Sequence, residues 1–167
     1  MQRWRRRVSS SAAEAGLWEA IAREAERESP LWAAALRRAD EREEEPVFSG
    51  LGPARYALGL ESIYEGYLLH YGRPRLFAPA DSDTAILLGD YLYAHGLVRV
   101  AAHGEVEVVA DLAALISRCA QLRAEGLEGD GAAWAGTVVS LGNVDPRPDA
   151  DLDAVARALA LHDGRVD

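Results

Sequence analysis

The stretch from Thr84 to Gly104, TAILLGDYLYAHGLVRVAAHG, is apolar on almost every side when wound into a helix. Such a helix needs either other helices or lipid around it. Asp90, His95 and Arg99 interrupt it at intervals that a lipid-facing helix tolerates poorly. It is therefore expected to be central in a helical bundle, which commits the rest of the chain to supplying helices that wrap it. The composition agrees, because Ala, Leu, Glu and Arg dominate and β-branched runs are scarce.

The flanking segments carry helix signals of their own. Ser9 to Ser11 offer caps with Glu14 three residues beyond Ser11, and Leu17, Trp18 and Ile21 fall on one stripe of a helix that ends near Ser29-Pro30. A second helix is predicted from Pro30 through Leu31, Trp32 and Leu36 into the charged run Arg37 to Glu45. Pro46 to Pro53 reads as a loop, and a third helix runs from about Ala54 to His70, stopped by Tyr71-Gly72-Arg73-Pro74. Asp81 or Ser82 caps the apolar fourth helix. The fifth, from about Glu105 to Glu125, places Val108, Val109, Leu112, Leu115, Ile116, Cys119 and Leu122 on one stripe. Trp134 to Leu141 is helix by the company it keeps. After a turn at Asp145 to Asp149, a last helix runs to about His162, capped by Asp149 or Asp151. The expected architecture is all-α, a single bundle of six or seven helices over residues 9–167, behind a disordered basic N-terminus at residues 1–8.

Charge and residue usage exclude several functions. With 18 basic against 27 acidic residues among 167, the net charge is −9, the wrong sign for a nucleic-acid-binding face. Only Met1 to Arg7 is locally basic, and it reads as a frayed terminus ahead of a phosphate-binding arm or an amphipathic membrane contact. All basic residues are Arg, so Lys-based Schiff-base or phosphate-loop chemistry is ruled out. One cysteine, Cys119, and no secretory hydrophobic run predict a reducing, cytoplasmic setting with Cys119 as packing. His95 and His103 have no third ligand in register for zinc, and Asp145, Asp149, Asp151 and Asp153 lack the Gly and Glu offsets of a calcium loop. Asp90 calls for a partner, an Arg or a helix N-terminus.

Gly72-Arg73-Pro74, then ILLGDYLYAHGLVRVAAHGE from Ile86 to Glu105, then VVADLAALISRCAQLRAEG from Val108 to Gly126 resemble the trans-isoprenyl diphosphate synthases, or polyprenyl synthetases. In that family an Asp-Asp-x-x-Asp helix is followed by an Arg-Arg-Gly-x-Pro turn and a helix bearing Leu-x-Gly-Asp-Tyr-Leu. The resemblance covers roughly the middle third of the chain and implies the N-terminal half of the isoprenoid synthase fold. It places the Asp-rich motif on Glu61-Ser62-Ile63-Tyr64-Glu65 and the paired arginines on His70 and Tyr71. The family's Gly-Lys-Arg segment has no counterpart, and its second Asp-rich motif belongs to a second half that these residues do not include. Ionising an allylic diphosphate needs Mg²⁺ held between carboxylates on two facing helices. Glu61 and Glu65, four apart on one helical face, are either a vestigial metal site or a solvent-exposed surface pair. No catalytic residue is assigned. By the resemblance, Tyr56 and Ala57 line the elongation cavity.

The resemblance implies a non-catalytic small subunit of a hetero-oligomeric trans-prenyl diphosphate synthase, with no cofactor of its own and Mg²⁺ in a catalytic partner. A shortened or degenerate prenyltransferase is the first alternative, and a helical interaction module without an isoprenoid role the second. Apolar surface on Ala85 to Ala102 and Val106 to Leu122 predicts pairing with a catalytic synthase subunit or a homodimer, with no nucleic acid and no transmembrane segment.

Overall fold

The computed structural model describes residues 16–141 and 151–166, and among them the chain is all-α, with seven helices and no strand. They are α1 (16–28), α2 (Pro30–Ala35), α3 (Ala57–Tyr71), α4 (Ser82–Ala101), α5 (Val106–Glu125), α6 (Asp130–Ser140) and α7 (Leu152–Val166), with 3₁₀ turns at Ala39–Glu41, Ser49–Leu51 and Ala54–Tyr56. Three starts have side-chain caps, the expected Asp81 and Asp151 among them, while α3, α5 and α6 have none. The Ser29 hydroxyl accepts from the Leu31 N–H at 3.1 Å, the Asp81 carboxylate from the Thr84 N–H at 2.7 Å, and Asp151 from Asp153 and Ala154 at 3.0 and 3.2 Å. The N-terminal segment 1–8, the caps at Ser9 to Ser11, and the turn Asp145 to Asp149 lie outside the described residues. No helix among the described residues is long and apolar enough to cross a membrane.

Three boundaries and one ranking differ from expectation. The second helix stops at Ala35 instead of running into Arg37 to Glu45. There the chain turns extended and pairs with residues 76–78: Leu36 bridges Phe77, Arg37 N–H donates to Leu76 O at 2.9 Å and Ala78 N–H to Ala35 O at 2.7 Å. The sixth helix begins at Asp130, four residues before Trp134, and the last runs past His162 to Val166.

The central helix is α3, not the apolar α4. Every residue from Gly59 to Leu69 is buried, Glu61, Ser62 and Glu65 included. In α4 only Leu88, Gly89, Leu92, Gly96 and Val100 are buried, while Ile86, Leu87 and Val98 stay 48–66% exposed. The cause is that α3 lies between two apolar clusters. One gathers Phe48, Leu68, Leu112, Leu115, Trp134 and Val138 from the α5–α7 side, and the other gathers Trp18, Ile21, Leu76, Phe77, Leu88 and Leu92 from the α1, α2 and α4 side. Full burial of such side chains is worth about 1.5–3 kcal/mol each. Helices α3 and α4 run antiparallel on a glycine seam, Gly59 against Gly96 and Gly66 against Gly89. A Cβ on Gly66 would stand 2.8 Å from the Gly89 carbonyl oxygen, and one on Gly96 2.8 Å from that of Gly59. The seam brings the two backbones together, and beside it Ser62 of α3 meets Arg99 of α4.

Candidate functional site

The first enclosed cluster is built on α3. Glu61 and Glu65, one turn apart, hold the guanidinium of Arg75, and none of the three is more than 1% exposed. Arg75 Nη1 donates to Glu61 Oε2 at 2.7 Å, and its Nε to Glu65 Oε2 at 3.0 Å. Arg75 Nη1 reaches the Glu45 carbonyl at 2.9 Å, and Glu65 Oε1 accepts from the Leu76 N–H at 2.7 Å. The guanidinium also lies 4.6 Å from the Trp18 ring centre and 5.1 Å from that of Tyr64. Burial disfavours the Arg75 cation, but the two carboxylates more than offset this and leave its pKa raised. Glu61 Oε1 has no hydrogen-bond partner.

This overturns the expectation of a solvent-exposed Glu61/Glu65 pair. The carboxylates do not fit a magnesium site either, because an internal cation already occupies the space between them and the pair is closed to water. Among the described residues, no three His, Cys, Asp or Glu side chains gather in a metal-holding group.

The second cluster joins α3, α5, α6 and α7. Asp130, at the start of α6, accepts from Arg123 Nε at 2.7 Å and from the Tyr67 hydroxyl, while Arg123 Nη2 donates to the Tyr67 oxygen at 2.9 Å. His162 Nε2 lies 3.5 Å from the other Asp130 oxygen, and its Nδ1 is 3.0 Å from the Tyr64 hydroxyl. Phe48, Tyr64 and Tyr67 pack around the imidazole, and Trp134 stacks on Phe48 at 5.5 Å. Burial lowers the His162 pKa despite the pull of Asp130, so the ring is held neutral near pH 7. Burial resists ionisation of Asp130, yet hydrogen bonds from Tyr67 and Arg123 bring its pKa below the usual carboxylate value. Desolvation raises both tyrosines, so they stay protonated as donors.

Unlike the first cluster, this one has an open edge. A cleft of about 560 Å³ is bordered by Arg123, Gly129, Asp130, Leu159 and Asp163, and the Arg123 side chain is 27% exposed. Asp130, Tyr64, Tyr67, Arg123 and His162 were not singled out from sequence as site residues. The available signal was weak: tyrosines at 64, 67 and 71 on one helical stripe, and an Asp opening a helix after Gly129.

Tyr56 is 1% exposed, edge-on to His103 at 5.5 Å, beneath the Arg55 guanidinium at 4.6 Å. Ala57 borders a different space, an apolar groove of about 510 Å³ shared with Trp18, Ser49, Gly52 and Leu58. Asp90 is exposed, and its partner is neither an Arg nor a helix N-terminus but His70, whose Nε2 lies 3.2 Å away. Cys119 is buried, and desolvation pushes its thiol up to about 12, so it packs and does not ionise. No protein-family model matches the chain, and no curated protein and no solved structure matches it.

Proposed function

We propose that this chain is a non-catalytic, polyprenyl-synthetase-like subunit that works beside a catalytic partner. The observation that carries the reading is Arg75. On the helix where the resemblance puts the metal-binding acids, both carboxylates grip an internal guanidinium. The helix thereby serves as the stapled centre of a scaffold, and the diphosphate chemistry falls to the partner's own carboxylates and Mg²⁺. The exposed Ile86, Leu87 and Val98 on α4 and Val106 at the start of α5 supply apolar surface for that partner.

The test is reconstitution. The purified chain, given Mg²⁺, an allylic diphosphate and isopentenyl diphosphate, makes no elongated product; added to a complete polyprenyl synthase from the same genome, it forms a stable complex and changes product length or rate. Product from the chain alone would favour the shortened prenyltransferase. No complex and no effect on any such synthase would leave the helical interaction module.

A further inference from the structure

We infer that the apolar groove beside Ala57 is the docking site of this chain's own basic N-terminal segment, with the Trp4 indole seated in it and the neighbouring arginines set against the acidic run Glu41 to Glu45. The groove, of about 510 Å³, lies between the start of α1 and residues 46–58. Its lining is uncharged except for Arg55, which Glu105 already engages at 3.1 Å. Among the described residues nothing fills this space, and a Cβ on Gly16 or Gly50 at its edge would meet no atom within 4 Å. The volume is in the range that takes a whole small ligand, so an indole fits.

Position, charge and residue type select this occupant. Gly16, where α1 begins, is itself part of the groove wall, so residues 1–15 join the fold at the groove. Only residues 5–15 separate Trp4 from Gly16, and at about 3.3–3.6 Å per extended residue they span well beyond the groove. A tether this short holds the segment at a local concentration of about millimolar, so modest contacts suffice; a second copy would offer the same segment at far lower concentration. Glu41, Glu44 and Glu45 are exposed, and among the described residues their carboxylates have no cationic partner. Pro46, next to Glu45 in the chain, lines the groove. Arg3, Arg5, Arg6 and Arg7 form the one locally basic stretch in a chain of net charge −9, and Trp4 stands among them. An indole brings a large apolar area to a groove, and opposite charges beside it fix the register.

The test reads Trp4 in the full chain, as the difference in fluorescence between wild type and Trp4→Phe, with acrylamide as the quencher. The expected difference emission is blue-shifted from that of free N-acetyltryptophanamide, is quenched well below it, and does not change on dilution of the protein. Two variants should each release Trp4 to a red-shifted, fully quenched state: the triple change Glu41→Gln, Glu44→Gln, Glu45→Gln, which removes the opposing charge, and Ala54→Arg, which puts a like charge on the groove rim. All four positions are exposed, so neither variant threatens the fold. Molar sodium chloride, with a screening length of about 3 Å, should weaken the docking as well. Emission like that of free indole in the wild-type chain overturns the proposal, as does protection that survives either variant, which places Trp4 elsewhere. Protection lost on dilution assigns the groove to a second copy and overturns it too. The outcome is independent of the subunit reading, which rests on α3 and on complex formation.

Discussion

The clusters around Arg75 and around Asp130 share a helix, and each combines carboxylate, guanidinium and aromatic rings, yet they differ in their access to water. At Arg75 all three charged side chains are sealed, and the guanidinium is satisfied by α3 carboxylates and a backbone carbonyl. At Asp130 the same chemistry reaches a cleft through the partly exposed Arg123, and a neutral imidazole stands behind the carboxylate. Enclosure makes the first a staple, because a charge with no route to water must keep its partner. Openness leaves the second adjustable, since Arg123 can exchange Asp130 for solvent at modest cost.

The largest effect expected of that difference follows from Arg75→Met, which strands two carboxylates in the core. Urea denaturation at pH 7 should show a loss of about 3–5 kcal/mol. The triple change Glu61→Leu, Glu65→Leu, Arg75→Met should recover most of it, because an apolar set of similar volume has no charge to desolvate. A loss no greater than that of a surface substitution would mean that water reaches the cluster.

Asp130→Ala should cost less, about 1–3 kcal/mol by the same measurement. The Tyr67 hydroxyl keeps Arg123 as a neighbour, and the guanidinium can turn toward the cleft. If this variant proves as damaging as Arg75→Met, the contrast between sealed and open clusters fails.

Acid should act on the open cluster through His162. Its folded pKa lies below the ordinary value of 6.5, so below that pH the unfolded chain binds a proton that the folded chain resists. Its contribution is therefore intact above about pH 6.5 and is lost as pH falls toward the folded value, at no more than about 1.4 kcal/mol per pH unit. His162→Gln should flatten that part of the stability profile, measured as melting temperature from pH 7.5 to 5. An unchanged slope would show that other groups set it.

The smallest effect concerns salt. In double-mutant cycles the Arg123–Asp130 coupling should fall to less than about 1 kcal/mol in molar sodium chloride, as for a pair at the surface, whereas the Glu65–Arg75 coupling should hold. Equal screening of both would contradict the enclosure of Arg75.

Much of the scaffold was legible because its signals are local. Asp81 before Ser82, Pro30 after Ser29, and the Val108, Leu112, Leu115, Cys119 stripe each depend on neighbours within a turn or two, and each appears where the pattern put it. The second helix went astray at Leu36, where pairing with Phe77 overrides helix propensity. The candidate acids were legible as an i, i+4 pair but not in their role, because their partner lies beyond the end of the helix, in a loop whose sequence marks nothing special about Arg75.

By itself, then, the sequence determined the all-α class, the positions of most helices and the presence of two carboxylates on one helical face, since periodicity, caps and breakers act over a few residues. Tertiary structure alone decided which helix is central and what the polar residues do. Hydropathy favoured α4, yet α3 is enclosed because two clusters and a glycine seam close on it from opposite sides. Arg75 meets Glu61 from 14 positions away, Arg123 meets Tyr67 from 56, and His162 meets Tyr64 from 98. Those meetings depend on how whole helices pack, and whether such a group is a staple or an open site depends on how much water the packing leaves beside it.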